Sequence, residues 1–240
     1  MMFAELYVTA SGMAVRQEKI DVLAHNLANA NTVGFKMGEV VLEERPLEIP
    51  VGRSEAPSHV RLVERRTDFS PGELQYTGEP LDVALGQQGF FVIQTPEGIR
   101  LSRDGRFSMD GEGRLILRGM PVLGDNGEIR SEGGNIFINR EGSLSSGSTP
   151  LGKLRVVRVE DPQKLVPLGD GLYAVPEGVS LQELPKVEVF PGHLEMSNVN
   201  SIKCMVQMIE AVRAFEMNQR MVQTLDRLGE KAVQELSRTA

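Results

Sequence analysis

Residues 204–236 read CMVQMIEAVRAFEMNQRMVQTLDRLGEKAVQEL, and one row of their side chains recurs at alternating intervals of four and three residues. The row consists of Cys204, Met208, Ala211, Phe215, Asn218, Val222, Leu225, Gly229, Ala232 and Leu236. Such a row forms one seam on a helix, and a seam of this kind is buried by packing against another helix. The spacing predicts a long C-terminal helix that ends near Leu236. Ser or Asn within 197–200 can cap its N-terminus.

A matching stripe lies near the N-terminus, where every seventh residue is apolar: Leu6, Met13, Ile20 and Leu27. A second row, offset by three or four residues, consists of Phe3, Ala10, Gln17 and Ala24. We expect a helix over 3–30 that ends in the Asn-rich segment 26–36, where Gly34 is expected to hold a positive φ. Because β-type sequence separates the two helical regions, they are expected to pair with each other as a coiled coil, within one chain or between chains.

The middle of the chain carries β-type patterns. Between about residues 70 and 190, short apolar runs such as LDVAL and GFFVIQ alternate with glycine-containing turns, which is typical of hairpins. Three prolines in 37–70 favour an extended connector with one or two short strands, such as 60–65. The expected fold class is α+β, with the N- and C-terminal helices paired as a coiled coil and a central all-β, hairpin-rich domain. The expected divisions are a helix and turn motif at 1–36, a connector at 37–70, the β-domain at 71–192 and the C-terminal helix at 193–240.

Composition narrows the classes of protein that the chain can represent. Its 240 residues are 40% hydrophobic, enough for one large or two small domains. The net charge of -7 does not favour a nucleic-acid partner, and the acid excess lies outside the two helical ends. No apolar run approaches the roughly 20 residues of a membrane span, so direct membrane insertion is not expected. The first 19 residues lack a basic region followed by an apolar one, so a cleaved secretory signal is not expected either.

The sequence offers little chemistry of the kind that enzymes use. The single cysteine, Cys204, excludes an internal disulfide and is expected to be a small core residue. His25, His59 and His193 are far apart and lack neighbours at ligand spacing, so no metal site is expected. Phosphate-binding and dinucleotide-binding glycine motifs are absent, and no cofactor is expected. A carboxylate pair that converges only in three dimensions stays open.

Three segments of the chain resemble the axial proteins of the bacterial flagellum, which are its rod and hook subunits. Residues 11–36 are similar to their N-terminal motif through Asn26, Ala28, Asn29, Asn31, Thr32, Gly34, Phe35 and Lys36. Residues 77–115 resemble their central β-signature through Pro80, Leu81, Asp82, Gly89, Phe90, Phe91, Arg103, Asp104, Gly105 and Phe107. Residues 194–233 resemble their C-terminal motif through Ser197, Asn198, Val199, Asn200, Met208, Ile209, Arg213, Phe215, Glu216, Asn218, Gln219, Thr224 and Asp226.

The resemblance implies a structural role without catalysis. A family member of this kind is a subunit of the basal-body rod, supports motility by helical self-assembly, and places its β-domain outside an inner tube of paired helices. It leaves the cell unfolded through the flagellar type III export apparatus, without a cleaved signal, and assembles in the periplasm with other copies and neighbouring rod proteins. The expected assembly interface consists of Leu6, Met13, Ile20, Leu27, Asn26, Asn29, Asn31, Gly34, Phe35, Met208, Phe215, Asn218, Val222 and Leu225.

Two features separate the chain from parts of that family. The family often has Gly-Asp-Gly before the paired aromatics, whereas this chain has Gly86-Gln87-Gln88-Gly89 there and so lacks the acidic residue. The chain length and the short region 140–190 are most similar to the proximal-type rod protein, and the longer distal-type protein is the alternative.

Other classes of function stay open at this point. The β-domain could bind a glycan or a peptide while the helices only dimerise it. The helices could form an intramolecular hairpin without any lattice. A wall hydrolase would need a nucleophile or a metal set that the sequence does not display.

Overall fold

The computed structural model describes residues 2–46, 58–86, 88–133 and 136–239. The chain divides into two compact units, and each is assembled from separate stretches of sequence. The helical unit combines Met1–Ala28, Gly38–Thr67 and Asn200–Ala240, whereas the β-domain combines Asn29–Met37 and Asp68–Val199. The chain therefore passes from one unit to the other four times.

The helical unit contains the two helices, α1 at Met2–Ala28 and α2 at Ser201–Thr239. Asn200 caps α2, because its side-chain oxygen accepts a hydrogen bond from the backbone N–H of Lys203 at 2.9 Å. Neither of these helices is both long enough and apolar enough to span a membrane.

A two-stranded antiparallel hairpin completes the helical unit. Its strands are β1 at Gly38–Pro46 and β2 at Ser58–Thr67, with a register irregularity between Val41 and Leu42. The region expected as an extended connector with short strands thus contains strands of nine and ten residues. Charged residues at many of these positions do not prevent strand formation, since a two-stranded ribbon leaves much of its surface in water.

The expected coiled coil between the terminal helices is wrong. Helix α1 contacts both hairpin strands as well as α2, so it must bury side chains in more than one direction. Among its described side chains, the buried ones are Val15, Leu23 and Asn26, which do not follow a heptad. The predicted second row is exposed at Ala10, Gln17 and Ala24. Because α1 packs on a hairpin and a helix together, a single narrow seam cannot serve both neighbours.

The predicted row on α2 does lie on the less exposed side of that helix. Cys204 and Ala211 are buried, and the row is half-buried at Met208, Phe215, Asn218, Val222 and Gly229. Among the described side chains of α2, full burial is therefore limited to the part near its N-terminus.

The β-domain confirms the expectation of a hairpin-rich central region. Its strands are β3 at Leu74–Tyr76, β4 at Val83–Leu85, β5 at Phe90–Thr95, β6 at Gly98–Ser102, β7 at Ser108–Met109, β8 at Leu115–Leu117, β9 at Met120–Pro121, β10 at Leu123–Gly124, β11 at Gly127–Glu128, β12 at Ile136–Ile138, β13 at Ser143–Ser146, β14 at Thr149–Lys153, β15 at Val156–Val159, β16 at Val166–Gly169, β17 at Leu172–Ala174, β18 at Leu181–Glu183, β19 at Val189–Pro191 and β20 at His193–Glu195. One 3-10 turn lies at Pro162–Lys164, after β15.

The largest sheet has six strands in the order β16-β17-β6-β5-β15-β18, with antiparallel pairs throughout. Its central strand β5 begins with the run FFVI, which is buried on both faces. Phe91 and Ile93 belong to one core cluster, whereas Phe90 and Val92 belong to another. Successive side chains on a strand point to opposite faces, so an unbroken apolar run is what a doubly covered strand requires.

Two of the smaller sheets pair the last strands of the β-domain with its first strands. Strand β19 pairs with β4, and strand β20 pairs with β3, so the last strands of the domain return to its first. This arrangement brings the start of the C-terminal motif next to the start of the β-domain.

Candidate functional site

The Asn-rich motif folds into a tight turn directly after α1. The backbone N–H of Thr32 donates to the Asn29 carbonyl at 3.1 Å, and its hydroxyl donates to the Asn29 side-chain oxygen at 3.1 Å. A further turn follows, in which the N–H of Phe35 donates to the carbonyl of Thr32 at 3.3 Å. Gly34 holds φ at +68°, the positive value that the sequence predicts.

Gly34 is buried against the backbone of the central motif. A Cβ atom on Gly34 would lie 2.4 Å from the backbone nitrogen of Asp104 and 2.5 Å from the carbonyl carbon of Arg103. Its own N–H donates to the backbone carbonyl of Glu195 at 2.7 Å. Only glycine allows the motif to approach two other segments of the β-domain this closely.

A buried ionic cluster lies beside this contact and consists of Lys36, Arg103 and Glu195. The ammonium of Lys36 is 2.5 Å from Oε1 of Glu195, and Nη1 of Arg103 is 3.3 Å from Oε2 of the same carboxylate. The side chains of Lys36 and Glu195 are 0% and 1% exposed, and that of Arg103 is 5% exposed. Two cations from distant parts of the sequence thus share one carboxylate inside the domain.

Backbone groups also contact the cluster. Lys36 also donates to the carbonyl of Ser70 at 2.6 Å, and the N–H of Gly72 donates to Oε1 of Glu195 at 3.0 Å. The guanidinium of Arg103 lies 5.5 Å from the ring centre of Phe90, a distance suited to a cation–π contact.

Burial sets the electrostatics of both cations. Loss of solvent lowers the pKa of Lys36 below its usual 10.5, although attraction to Glu195 opposes the change. Burial likewise lowers the pKa of Arg103, against the attraction of the same carboxylate. A charge in such surroundings is costly unless it is paired, so Glu195 is the group that makes the burial of both cations tolerable.

Asn198 joins the ends of two further segments. Its side-chain oxygen accepts the N–H of Met37 at 2.8 Å, and its side-chain nitrogen donates to the carbonyl of Asp68 at 2.8 Å. The N–H of Asp68 also donates to the carbonyl of Met37 at 2.8 Å. Residues 37, 68 and 198 lie at or next to the points where the chain leaves the β-domain.

Asp104 binds Arg118, whose side chain also reaches Asp170, so it connects two turns elsewhere in the β-domain. Its buried carboxylate accepts two hydrogen bonds from Arg118, at 3.2 and 3.1 Å, and Arg118 also reaches Asp170 at 3.4 Å. Both Arg118 and Asp170 hold φ at +51°, in turns that precede Gly119 and Gly171. Next to Asp104, Gly105 leaves no space for a side chain, since a Cβ would lie 1.7 Å from the carbonyl oxygen of Val83.

Comparison with known proteins identifies the family to which the chain belongs. The family model described as flagella basal body rod protein matches residues 6–36, and the model described as flagellar basal body rod FlgEFG protein C-terminal matches residues 191–235. The flagellar basal-body rod protein FlgF of Caulobacter vibrioides is 31% identical over 97% of this chain and 98% of its own length. The chain belongs to the flagellar basal-body rod protein family.

Other flagellar basal-body rod proteins are similar to the chain over most of its length. FlgF of Escherichia coli is 36% identical over 90% of this chain and 91% of its own length. FlgG of Buchnera aphidicola from Acyrthosiphon pisum is 30% identical over 97% of this chain and its whole length. The chain is a structural protein of the flagellar basal-body rod.

The two regions that the rod family models match are joined physically in the β-domain. Lys36 is the last residue of one match, whereas Glu195 and Asn198 lie in the other. Their side chains or flanking backbone form the contacts described above, which we name the motif junction: Gly34, Lys36, Arg103, Glu195 and Asn198.

The interface residues expected from the sequence occupy several environments. On α1, Met13, Ile20 and Leu27 are half-buried and Asn26 is buried; on α2, Met208, Phe215, Asn218 and Val222 are half-buried. The turn contributes half-buried Asn29, exposed Asn31, and buried Gly34 and Phe35. Leu6 and Leu225 lie in the helices, and their side chains are outside the described part of the chain.

Asn26 has a role inside the helical unit. Its amide nitrogen donates to the carbonyl of Gly38 at 2.8 Å, and its oxygen accepts the N–H of Gly38 at 2.8 Å. This pairing fixes the first residue of β1 to the last turns of α1. Cys204 makes a second internal tie, since its thiol donates to the carbonyl of Leu23 at 3.3 Å.

Sequence reasoning missed several members of the motif junction. Arg103 and Asn198 lie in the quoted motifs, but nothing in their spacing indicates that they meet Lys36. Glu195 lies within the C-terminal match, but it precedes Ser197, the first residue that carries the resemblance, and its sequence context does not distinguish it from a surface carboxylate. The Asn-Thr-x-Gly-Phe-Lys turn and the Arg-Asp-Gly turn are each visible in the sequence, but only the three-dimensional structure shows that they meet.

The described part of the chain offers no site for metal chemistry. No group of three or more histidine, cysteine, aspartate or glutamate residues is arranged there to hold a metal ion. The junction is built instead to hold segments of backbone in fixed positions.

One side of α2 carries exposed apolar side chains interspersed with charged ones such as Arg213 and Arg220. The set that we consider is the apolar part of this surface. It consists of Ile202, Met205, Val206, Ile209, Val212, Met217, Met221 and Leu228. With about 3.6 residues per turn, these positions centre on the side of α2 opposite the half-buried row that begins at Cys204. We name this surface the α2 outer face.

Proposed function

We propose that the chain assembles with further copies of itself and with neighbouring rod proteins through the α2 outer face. The observation that carries the proposal is the exposure of large apolar side chains there: Ile202 is 75% exposed, Met217 63% and Ile209 54%. Large apolar side chains that stay exposed together on one side of a helix mark a surface on which another protein can pack. Contacts within the helical unit cover part of one side, and a neighbouring subunit would cover the other.

The half-buried residues of the expected interface belong to the same proposal. Met208, Phe215, Asn218 and Val222 lie on the opposite side of α2 and are only partly covered in the single chain. A neighbouring subunit that packs along α2 would bury what remains of them. If the two surfaces in such a contact are different, each subunit can bind the next one head to tail, and the contacts propagate into a helical filament or tube. A rod is an assembly of this kind.

The decisive experiment replaces Ile209 by aspartate. An Ile209→Asp variant would force a carboxylate into the proposed subunit interface, where an unpaired charge is strongly unfavourable. We expect the variant to remain monomeric in sedimentation velocity across a concentration series and to fail to restore swimming in a strain that lacks the protein. Thermal unfolding of its β-domain should match the wild type.

The matched control is Gln219→Asp, which adds the same carboxylate to an exposed polar position of the same helix. It should assemble and swim like the wild type. A swimming, self-associating Ile209→Asp variant would contradict the proposal, and a discrete wild-type dimer at all concentrations would favour a dimerised binding module.

We also propose a route and a location. The chain would be exported through the flagellar type III apparatus without a cleaved signal and would function on the periplasmic side of the basal body. Family membership supports this, as does a single cysteine that is buried in the helical unit. Mass spectrometry of the protein in isolated basal bodies tests it, since an intact N-terminus and dependence on the export apparatus are both expected.

A position within the rod can be proposed from the alignments. Those with the FlgF relatives of Caulobacter vibrioides and Escherichia coli run over 240 and 236 residues, whereas the one with Buchnera FlgG runs over 261. The shorter alignments need fewer gaps, so the chain is more similar in length to these FlgF relatives than to this FlgG relative. From its length and its short region 140–190 we propose the proximal rather than the distal position in the rod. Cross-linking in isolated basal bodies would identify the neighbours and so decide the position.

A further inference from the structure

The last segment of the β-domain is paired with its first strands. Strand β19 pairs with β4 through Val189 and Leu85, and β20 pairs with β3 through His193 and Tyr76. Each pairing joins residues more than 100 positions apart in the sequence. Three side chains of the last segment are also part of the buried interior, namely Val187, Val189 and Leu194.

The same segment supplies the carboxylate of the motif junction. Glu195 is the acidic partner of both Lys36 and Arg103, and its backbone carbonyl accepts the N–H of Gly34. If Glu195 were withdrawn, two deeply buried cations would lose their shared counter-charge. Removing one partner of a buried ion pair is strongly destabilising, because the charge that stays behind must be resolvated.

We propose that residues 187–198 act as a closing segment for the β-domain. The domain folds when this segment docks, and it opens as one cooperative unit when the segment leaves. The physical reason is that the segment contributes two strand pairings, core side chains and the neutralising charge together. Without the segment, residues 68–186 would still lose conformational entropy in forming their long-range strand pairs, but the domain would lack these stabilising contacts.

The closing segment has a consequence for delivery that rests on the function proposed above. In a chain that is exported in extended form from its N-terminus, residues 187–198 would emerge after nearly the whole β-domain. The domain would then stay open during transit and close only at the end. Failure of the assembly test on α2 would leave this folding device untouched, because it concerns the β-domain alone.

Native-state hydrogen exchange on the full-length protein tests the proposal. Amides of β5 and β6 and amides of β19 and β20 should exchange through the same opening, with equal dependence on added urea. Glu195→Gln should accelerate exchange in both groups by the same factor, on the order of 100-fold or more. The matched control Glu188→Gln changes an exposed carboxylate in the same segment and should leave both groups unchanged.

A second variant covers the case in which Glu195→Gln does not fold. Leu194→Ala removes part of a side chain that is 2% exposed, and it should also accelerate both groups of amides together. The proposal is overturned if residues 187–195 exchange through a separate, easier opening while β5 and β6 stay protected, or if either variant affects only its own segment.

Discussion

Replacing Gly34 by alanine should destabilise the β-domain far more than a glycine-to-alanine change in an ordinary turn. Two independent costs act at this position. The backbone holds φ at +68°, and the added Cβ would lie 2.4 Å from the nitrogen of Asp104. The conformational cost is about 1 kcal/mol for a residue with a Cβ.

The steric cost follows from the distances. Carbon and nitrogen atoms in contact normally lie about 3.5–4.0 Å apart, so the Arg103–Asp104 backbone must retreat by about 1 Å. That backbone cannot move freely, because Arg103 is tied to Glu195 and Asp104 to Arg118. Overpacking of this kind costs about 1–3 kcal/mol, so we expect a total loss of about 2–4 kcal/mol in the free energy of unfolding.

Gly147→Ala is the matched control. Gly147 also holds a positive φ, at +59°, but a Cβ atom on Gly147 would have no described atom within 4 Å. It should therefore lose only the conformational cost of about 1 kcal/mol. Urea unfolding of the two variants, followed by β-domain circular dichroism, measures the difference directly.

Equal losses in Gly34→Ala and Gly147→Ala would refute the steric argument. They would mean that the Asn-rich turn can shift away from Arg103 and Asp104 at negligible cost. The motif junction would then be a loose contact, and the close approach of Gly34 would have no energetic meaning.

Two further predictions concern single contacts. Asn26→Leu should destabilise the helical unit by about 2–4 kcal/mol, because the backbone N–H and C=O of Gly38 both lose their hydrogen-bond partner. Helical circular dichroism in urea measures this loss of stability, with the exposed Asn31→Leu as the control. An equal loss in both variants would contradict the prediction. Hydrogen bonds from the backbone of Arg114, and then from its side chain, lower the pKa of Asp110 below 3.8. The carboxylate therefore stabilises the fold above pH 3.8, and this contribution is lost as the pH falls through the lowered pKa. The difference in Tm between wild type and Asp110→Asn should be present at neutral pH and fade in acid, and a pH-independent difference would contradict it.

The sequence was sufficient where local physics determines structure. The 4-3 row predicted α2 and its less exposed side, and Asn200 lies where a cap was expected. The glycine-bounded apolar runs predicted the β-domain, and the chain reversal after α1 was expected at Gly34, a residue that readily adopts a positive φ. Each of these features depends on neighbours within a few residues, so periodicity and turn chemistry reveal it.

The failures arise where the partner is distant in sequence. A heptad on α1 suggested a coiled coil, but periodicity reports only that a face is apolar and not what covers it. The β1–β2 hairpin takes part of that role, and no pattern in 37–70 indicates that it packs on α1. The role of Glu195 could not be predicted for the same reason, since its ion-pair partners Lys36 and Arg103 lie 159 and 92 positions away in the sequence.

The two regions by which the family is recognised therefore contain two physically different sets of residues. Gly34, Lys36, Glu195 and Asn198 serve the β-domain of one chain, because their partners lie within it. Ile209 and its neighbours on the α2 outer face are exposed in the described single chain, and we propose that they contact a neighbouring subunit. Substitutions in the first set should lower the stability of the dilute monomer, whereas substitutions in the second should spare it and abolish assembly. A rod protein can thus be made fold-defective or assembly-defective by changes only a few residues apart, as at Glu195 and Ile202.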